Sequence, residues 1–330
     1  MYIFILVLFG MFSLWFSTRG SLKYIRTLRA FDRITSSHSE IPLEIRWDAF
    51  RLPEQKNRMS DTCILLRSVT IGTVRFCIFM VCLLLMMLLV LLVPHSLSHS
   101  ICHHISKLTL ACLGLNLIVE GSLVPPANAP VVVANHVGMI DVFILLAVGE
   151  MSFVADNGIR NFFVIGRIWG YVAERIDCLF VSRSSSSSRL EIREKLRTRL
   201  EQVNKGKKTR LAIFPEGTTS NGSGILEYKG GAFENMVPVQ PITLHYSNQE
   251  WGYCSVWSDV YFAYIMSLPS SNVHVKILPI QCPQADDTPA SFAKRVRALM
   301  ISESGLSDFE NIQNPARTHN HICNILNRHT

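Results

Sequence analysis

A histidine and an aspartate stand five positions apart in the segment Asn135-His136-Val137-Gly138-Met139-Ile140-Asp141. On a continuous helix this spacing leaves the two side chains about 140° apart, so they meet only where the backbone turns, as Gly138 permits. A carboxylate that accepts one imidazole N–H fixes the tautomer and leaves the other nitrogen to take a proton. By itself such a pair also arises by chance. The residue types of this pair predict that His136, oriented by Asp141, acts as a general base that takes a proton from a hydroxyl group.

A second polar segment, Phe214-Pro215-Glu216-Gly217-Thr218-Thr219-Ser220, follows a short apolar run. Its proline and glycine predict a turn, but a turn does not require an acid and three hydroxyls together. The continuation resembles the start of a phosphate-binding loop, yet Ser223-Gly224 stands where that loop needs Lys-Ser/Thr. The segment therefore predicts a binding loop at the end of a strand and argues against nucleotide hydrolysis.

Two shorter features could complete a site. Arg183 follows the apolar run Leu179-Phe180-Val181, a position suited to bidentate binding of a phosphate, with a surface salt bridge as the alternative. Val237-Pro238-Val239-Gln240-Pro241 is an extended run interrupted by two prolines, which is typical of an edge strand or the wall of a groove.

The elements that must position these residues alternate in type from Pro130 onward. Strands are predicted at 131–134, 152–155, 178–181, 211–214, 239–244 and 273–278. Helices are predicted after the serine run that ends at Ser188 and from Thr288-Pro289, which has the pattern of a helix cap. This alternation predicts an α/β fold, a sheet flanked by helices with functional loops at the strand ends.

The composition of the chain indicates contact with a membrane. The chain has 330 residues, 48% hydrophobic and 17% charged, with a net charge of +7 and a mean hydropathy of +0.25. These values exclude a disordered chain and a disulfide-rich secreted domain. Residues 76–93 form an unbroken apolar run, long enough to cross a bilayer as a helix. We therefore predict an N-terminal anchor at 1–17, a basic cytosolic linker at 18–75, a membrane hairpin or interfacial helices at 76–118, a catalytic domain at 119–306 and a tail at 307–330.

The orientation of the chain in the membrane is inferred from the distribution of Lys and Arg. The linker at 18–75 carries an excess of Lys and Arg over Asp and Glu, which is typical of a cytosolic segment. A single crossing by 76–93 would put the catalytic domain on the opposite side of the membrane. The weaker apolar stretch at 105–119 offers a return, so we favour a re-entrant hairpin or interfacial helix over a crossing, and both remain open.

Taken in order, the segments NHVGMID, LFVSR, FPEGTT and VPVQP resemble the four motifs of the glycerophospholipid acyltransferases, the lysophosphatidic acid acyltransferase superfamily, over roughly residues 119–279. The similarity is greatest to the lysophosphatidylcholine acyltransferase branch. It rests on the serine run after FVSR, the sequence EGTT, and YKGGAF before VPVQP. The resemblance implies a glycerophosphate-acyltransferase-like mixed sheet and an acyl-CoA-dependent O-acyltransferase of phospholipid biosynthesis and remodelling.

For individual residues the resemblance implies that His136 deprotonates the free hydroxyl of a lysophospholipid, which attacks the acyl-CoA thioester, while Asp141 orients the imidazole. The implied substrate-binding residues are Asn135, Arg183, Glu216, Gly217, Thr218 and Pro241. It implies acyl-CoA and a lysophospholipid as partners at a membrane, with no resident cofactor, no metal and no nucleic acid. The implied location is the endoplasmic reticulum, with the active site facing the cytosol, or a lipid droplet.

Departures from the family pattern bear on the substrate. Thr219 and Ser182 stand where many phosphatidic-acid-forming members have Arg and Asp, which favours a choline or ethanolamine headgroup. A lysophosphatidic acid acyltransferase is the first alternative, and a non-catalytic lipid-droplet adaptor that loses the histidine is the second. The sequence EGTT argues against a glycerol-3-phosphate acyltransferase. With no D-x-D-x-D-G loop in the sequence, we expect no calcium-binding domain.

Overall fold

The computed structural model describes residues 2–37, 60–156, 163–181, 187–251 and 264–310. The helices in this part of the chain are α1 (Tyr2–Ser37), α2 (Asp61–Arg67), α3 (Thr73–Leu92), α4 (Ser98–Leu113), α5 (Ile140–Val148), α6 (Phe163–Arg175), α7 (Ser187–Asn204) and α8 (Pro289–Ser304). The strands are β1 (Leu115–Glu120), β2 (Val131–Ala134), β3 (Ser152–Asp156), β4 (Leu179–Val181), β5 (Leu211–Ile213), β6 (Gly224–Leu226), β7 (Val239–Tyr246), β8 (Ser271–Ile277) and β9 (Ser307–Phe309).

Seven strands form one mixed sheet in the order β1-β8-β7-β2-β5-β3-β4. All neighbours run parallel except β7 and β8, and the short strands β6 and β9 pair separately. This arrangement confirms the predicted α/β fold. Because β2, β5 and β7 are parallel neighbours, their carboxyl ends meet at one edge of the sheet, where loops of α/β proteins commonly bind ligands.

The central strand β2 is buried on both faces. Val132 and Ala134 point into a core cluster shared with α3, α4 and α5, whereas Val131 and Val133 point into a second cluster that includes Phe292 of α8. A strand covered on both sides needs no polar alternation, which explains why four apolar residues in succession form it.

Paired strands extend beyond residues 119–306 in both directions. Strand β1 pairs in parallel with β8 and begins at Leu115, and β9 pairs with β6 and ends at Phe309. The apolar stretch at 105–119 is divided between the end of α4 and most of β1. Gly114 ends α4 in the left-handed conformation, with φ of 79°, and lets the chain turn into a strand.

The predicted division at residues 17 and 18 also differs from the structure. Helix α1 runs without interruption from Tyr2 to Ser37, so the apolar anchor and the first part of the basic linker are one helix. The remainder of the linker, at 38–59, lies outside the described residues.

The interpretation of the double-proline segment as an edge strand is wrong, because β7 lies between β8 and β2. Val239 pairs with Gln281, one residue out of step with the pairing of Ile242 with Ile277. Pro241 falls within this irregularity, where a missing N–H interrupts no regular ladder, and its carbonyl accepts a hydrogen bond from Leu278 at 2.9 Å.

The apolar helical stretch Asp61–Leu92 is long and apolar enough to span a membrane, and 33% of its most apolar window is buried in the protein. Near its start, Arg67 Nε donates to the Ser267 carbonyl at 2.8 Å. Near its end, Arg175 donates to the Val90 carbonyl at 3.0 Å. Both ends of the stretch are therefore bonded to the rest of the folded domain.

The bend between α3 and α4 is tied to the same domain. His95 Nε2 lies 3.3 Å from one Asp177 oxygen, and His99 Nε2 lies 3.8 Å from the other. Lys208 pairs with Asp177 at 2.5 Å. Although burial alone raises the pKa of Asp177, its bonds to His99 and Lys208 hold that pKa well below its usual range. The charged carboxylate thus joins this bend to the segment between α6 and β4.

Candidate active site

The turn between β2 and α5 brings His136 and Asp141 together. His136 Nδ1 lies 2.9 Å from Asp141 Oδ2. The backbone N–H groups of Val137 and Gly138 donate to the same oxygen at 2.6 and 2.8 Å, so the loop wraps around the carboxylate. Asp141 is in the first turn of α5, where a helix favours negative charge. The predicted meeting of the two side chains is present.

The second oxygen of Asp141 binds a residue that the sequence analysis missed. Tyr246, the last residue of β7, donates its hydroxyl to Asp141 Oδ1 at 2.6 Å. Burial, and then the negative charge of Asp141, raises the pKa of Tyr246, which keeps the hydroxyl protonated. Asp141 is 0% exposed, yet four donors share its charge. The sequence predicts a strand that ends at Leu244, and only the pairing of β7 with β2 reveals the role of the tyrosine.

This arrangement fixes the tautomer of His136. Because a carboxylate oxygen only accepts hydrogen bonds, Nδ1 must donate, and in the neutral ring Nε2 is the nitrogen that carries no hydrogen. The ring stacks on Phe214, with centroids 4.0 Å apart and planes 14° from parallel. The side chain keeps 22% of its surface exposed. His136 is thus oriented on one side and open on the other, as a general base requires.

The loop that contains Glu216 holds the backbone of His136. The His136 N–H donates to Glu216 Oε1 at 2.6 Å, and the His136 carbonyl accepts from the Ser220 N–H at 3.0 Å. Glu216 Oε2 accepts from the Leu226 N–H at 2.9 Å. The carboxylate therefore joins the turn of His136 to β6, and both of its oxygens are occupied by backbone donors.

Glu216 has no exposed surface. Burial raises the pKa of Glu216 to about 8, although the two backbone donors and the charge of Arg297 act in the opposite direction. Arg297 in turn donates to the Ile225 and Leu226 carbonyls at 2.7 and 2.8 Å. The structure gives Glu216 a positioning role, and its predicted contact with substrate stays a prediction.

Asn135 also acts on the backbone. Its Nδ2 donates to the Leu244 carbonyl at 2.9 Å, and its Oδ1 accepts from the Leu244 N–H at 2.7 Å. With 1% of its surface exposed, the side chain extends the pairing of β2 with β7 by one step, directly before His136. Here too, substrate contact stays a prediction.

The other predicted binding residues lie around this edge or outside the described residues. Gly217 has φ of 69°, a left-handed conformation that favours glycine in this turn. Thr218, beside it, is half-buried. Pro241 is buried in β7 opposite Val133. Arg183 lies outside the described residues, and β4, which precedes it, ends at the same sheet edge.

Gly222 lets the end of the Glu216 loop approach the turn of His136. Its φ is 77°, and a Cβ there would lie 2.8 Å from Val137 Cγ1. The Val137 backbone N–H also donates to Asp141, so a side chain at position 222 would displace the turn that holds the His136–Asp141 pair.

Residues 116–245, which include His136, Asp141 and Glu216, match the family model described as Acyltransferase. The chain is 29% identical over 225 residues to lysophosphatidylcholine acyltransferase 2 from Rattus norvegicus, covering 63% of this chain and 40% of that protein. It is 34% identical over 146 residues to lysophosphatidylcholine acyltransferase 1 from the same species, covering 42% of this chain and 27% of that protein. The chain thus spans less than half the length of these relatives.

A solved structure supports the fold. The 1-acyl-sn-glycerophosphate (LPA) acyltransferase PlsC from Thermotoga maritima superposes with a TM-score of 0.53 and 19% identity, covering 73% of this chain and 96% of that one. Together, the family match, the relatives and the fold agree with the motifs read from the sequence. Residues 116–245 match the Acyltransferase family model, and the chain is similar to glycerophospholipid acyltransferases, in particular to the lysophosphatidylcholine acyltransferases.

Proposed function

We propose that this protein transfers an acyl group from acyl-CoA to the free hydroxyl of a lysophospholipid, in phospholipid biosynthesis and remodelling. The observation that carries the proposal is the hydrogen-bonded chain from Tyr246 through Asp141 to His136 at the sheet edge. The relatives that share this part of the sequence bear the names of lysophosphatidylcholine acyltransferases, which supports the choice of acceptor.

The geometry supports general-base catalysis without a covalent acyl-enzyme. As the acceptor oxygen attacks the thioester carbonyl carbon, His136 Nε2 takes the hydroxyl proton, and Asp141 stabilises the imidazolium that forms. The tetrahedral intermediate then collapses with cleavage of the C–S bond. The departing CoA sulfur takes the proton from Nε2, which returns His136 to its starting state. Tyr246 and Glu216 contribute by holding the carboxylate and the backbone in place.

The number of cations in the motifs distinguishes between the possible headgroups of the acceptor. Thr219 replaces a cation that would suit the phosphate monoester of lysophosphatidic acid. Fewer cations favour a phosphate diester, so we propose a choline or ethanolamine headgroup.

Both substrates are amphiphiles, so the site must lie at a membrane surface. Helix α3 presents an apolar face to solvent that includes Val81, Leu84, Leu88, Leu91 and Leu92. Because both ends of the stretch Asp61–Leu92 are bonded to the domain, we propose that α3 lies along the bilayer interface instead of crossing it. The proposed membrane is the endoplasmic reticulum, with the domain on the cytosolic side.

A protease-protection experiment tests this topology. In sealed microsomes a C-terminal tag should be digested without detergent, since the domain faces the cytosol. A tag protected until detergent is added would contradict the proposed orientation.

The activity is tested with the full-length protein in phosphatidylcholine nanodiscs, offered lysophospholipids with choline, ethanolamine or phosphate headgroups and a panel of acyl-CoAs. Mass spectrometry should detect new phosphatidylcholine or phosphatidylethanolamine with release of one CoA per acyl group. Absence of product with every pair would overturn the catalytic proposal and favour a non-catalytic adaptor. Product from lysophosphatidic acid alone would overturn the proposed headgroup.

A further inference from the structure

Helix α1 has one face packed on the protein and one face exposed. On the packed face, Tyr24 stacks on Tyr264, with ring centroids 3.5 Å apart and planes 16° from parallel. The exposed face follows the helical period through Leu8, Phe12, Trp15, Arg19, Leu22 and Arg26. Between residues 8 and 26 the helix therefore offers one continuous face to its surroundings.

That exposed face changes character within one turn. Before Arg19 its large side chains are apolar: Val7, Leu8, Met11, Phe12, Leu14 and Trp15. From Arg19 onward the helix carries Lys23, Arg26 and Arg29 before its first acidic residue, Asp32. An apolar segment that ends in tryptophan and continues in cations is typical of the boundary between bilayer and water.

A cleft of about 580 Å³ lies at this transition. It is lined by Trp15, Thr18, Arg19, Leu22, Lys23 and Arg26. Three of the six residues are cationic and none is acidic. The Arg19 guanidinium lies 4.9 Å from the centroid of the Trp15 ring, which joins an apolar wall to a positive one. The volume is within the range of small-ligand sites.

The cleft gathers positive charge beside an apolar surface. A ligand that suits it carries a negative group next to a hydrocarbon portion.

We propose that this cleft binds the phosphate-bearing headgroup of an anionic phospholipid of the surrounding membrane. Arg19, Lys23 and Arg26 hold the phosphate, and Trp15 and Leu22 contact the glycerol and the first carbons of the acyl chains. The site shares no residue with the His136–Asp141 pair, so this lipid is a bound membrane component and not the acceptor. The inference rests on the membrane location proposed above and is independent of the reaction.

Native mass spectrometry of the full-length protein in detergent, with dioleoyl phosphatidylserine or dioleoyl phosphatidylcholine added, tests the proposal. The wild type should bind phosphatidylserine more tightly than phosphatidylcholine. Neutralising all three cations in the R19Q/K23Q/R26Q variant should remove that preference, a change on the order of 100-fold if each cation is worth roughly fivefold. A preference that survives in this variant would overturn the proposal.

The control variant R193Q/K205Q/K207Q removes the same charge from exposed positions on and after α7. It should keep the preference for phosphatidylserine, and its loss would show that net charge alone attracts the lipid. Coenzyme A serves as a competitor, and displacement of phosphatidylserine by micromolar CoA would reassign the cleft to the acyl donor. Acyl transfer in phosphatidylcholine nanodiscs should be unchanged in R19Q/K23Q/R26Q, and a loss there would mean that the cleft belongs to the catalytic machinery or that the variant misfolds.

Discussion

Replacing Tyr246 by phenylalanine removes one oxygen atom and leaves the ring in place. That oxygen donates to Asp141 Oδ1 at 2.6 Å inside the protein. A hydrogen bond to a charged group contributes about 1.5 to 3 kcal/mol, and water cannot easily replace this one because Asp141 is fully buried. The free energy of unfolding should therefore fall by that amount. If the same energy orients His136 in the transition state, kcat should fall between roughly tenfold and 150-fold.

The assay is the initial rate of acyl transfer at saturating acyl-CoA, with denaturant unfolding measured in parallel. Tyr228→Phe is the matched control, because Tyr228 is also buried but donates to the weak acceptor Met300 Sδ, at 2.9 Å. We expect the control to keep its kcat and lose less than about 1 kcal/mol of stability. A Tyr246→Phe variant with the kcat of the wild type, or with only a raised KM, would refute the claim that Tyr246 anchors Asp141.

Three further predictions concern the same framework. Asp141→Asn replaces one oxygen of the carboxylate by an NH2 group, which cannot accept a hydrogen bond from a backbone N–H. We therefore expect kcat to fall by more than 100-fold, measured as the initial rate of acyl transfer. Since the folded pKa of Glu216 is about 8 against 4.5 in a model peptide, the free energy of unfolding should decline from pH 4.5 to 8, and Glu216→Gln should flatten this slope in denaturant titrations. Gly222→Ala and Gly206→Ala should each cost about 1 kcal/mol through their positive φ, but only the former, which meets Val137, should slow the reaction.

Local signals in the sequence sufficed for part of the site. The spacing of His136 and Asp141, with Gly138 between them, predicts a turn that the structure contains, because all the contacts lie within six residues. The apolar run of β2 predicts a buried strand for the same reason. Both predictions depend on neighbours in sequence.

The remainder depends on which strands become neighbours. Tyr246 is 105 positions from Asp141 and reaches it only because β7 lies beside β2. Glu216 is 80 positions from His136, and its type suggested a ligand for substrate where the structure shows a backbone brace. The place of Pro241 in a central strand depends on a one-residue shift in the pairing of β7 with β8. None of these features has a local pattern.

The central claim is that His136 is the general base, and the most direct test is the rate of acyl transfer by His136→Ala in phosphatidylcholine nanodiscs. His274→Ala, an exposed histidine on β8, is the control. We predict that His136→Ala stays folded, with a lower melting temperature because Asp141 loses one donor, and loses between about 100-fold and 10,000-fold in kcat, while the control retains its rate. A His136→Ala protein that transfers acyl groups within tenfold of the wild-type rate would contradict the mechanism.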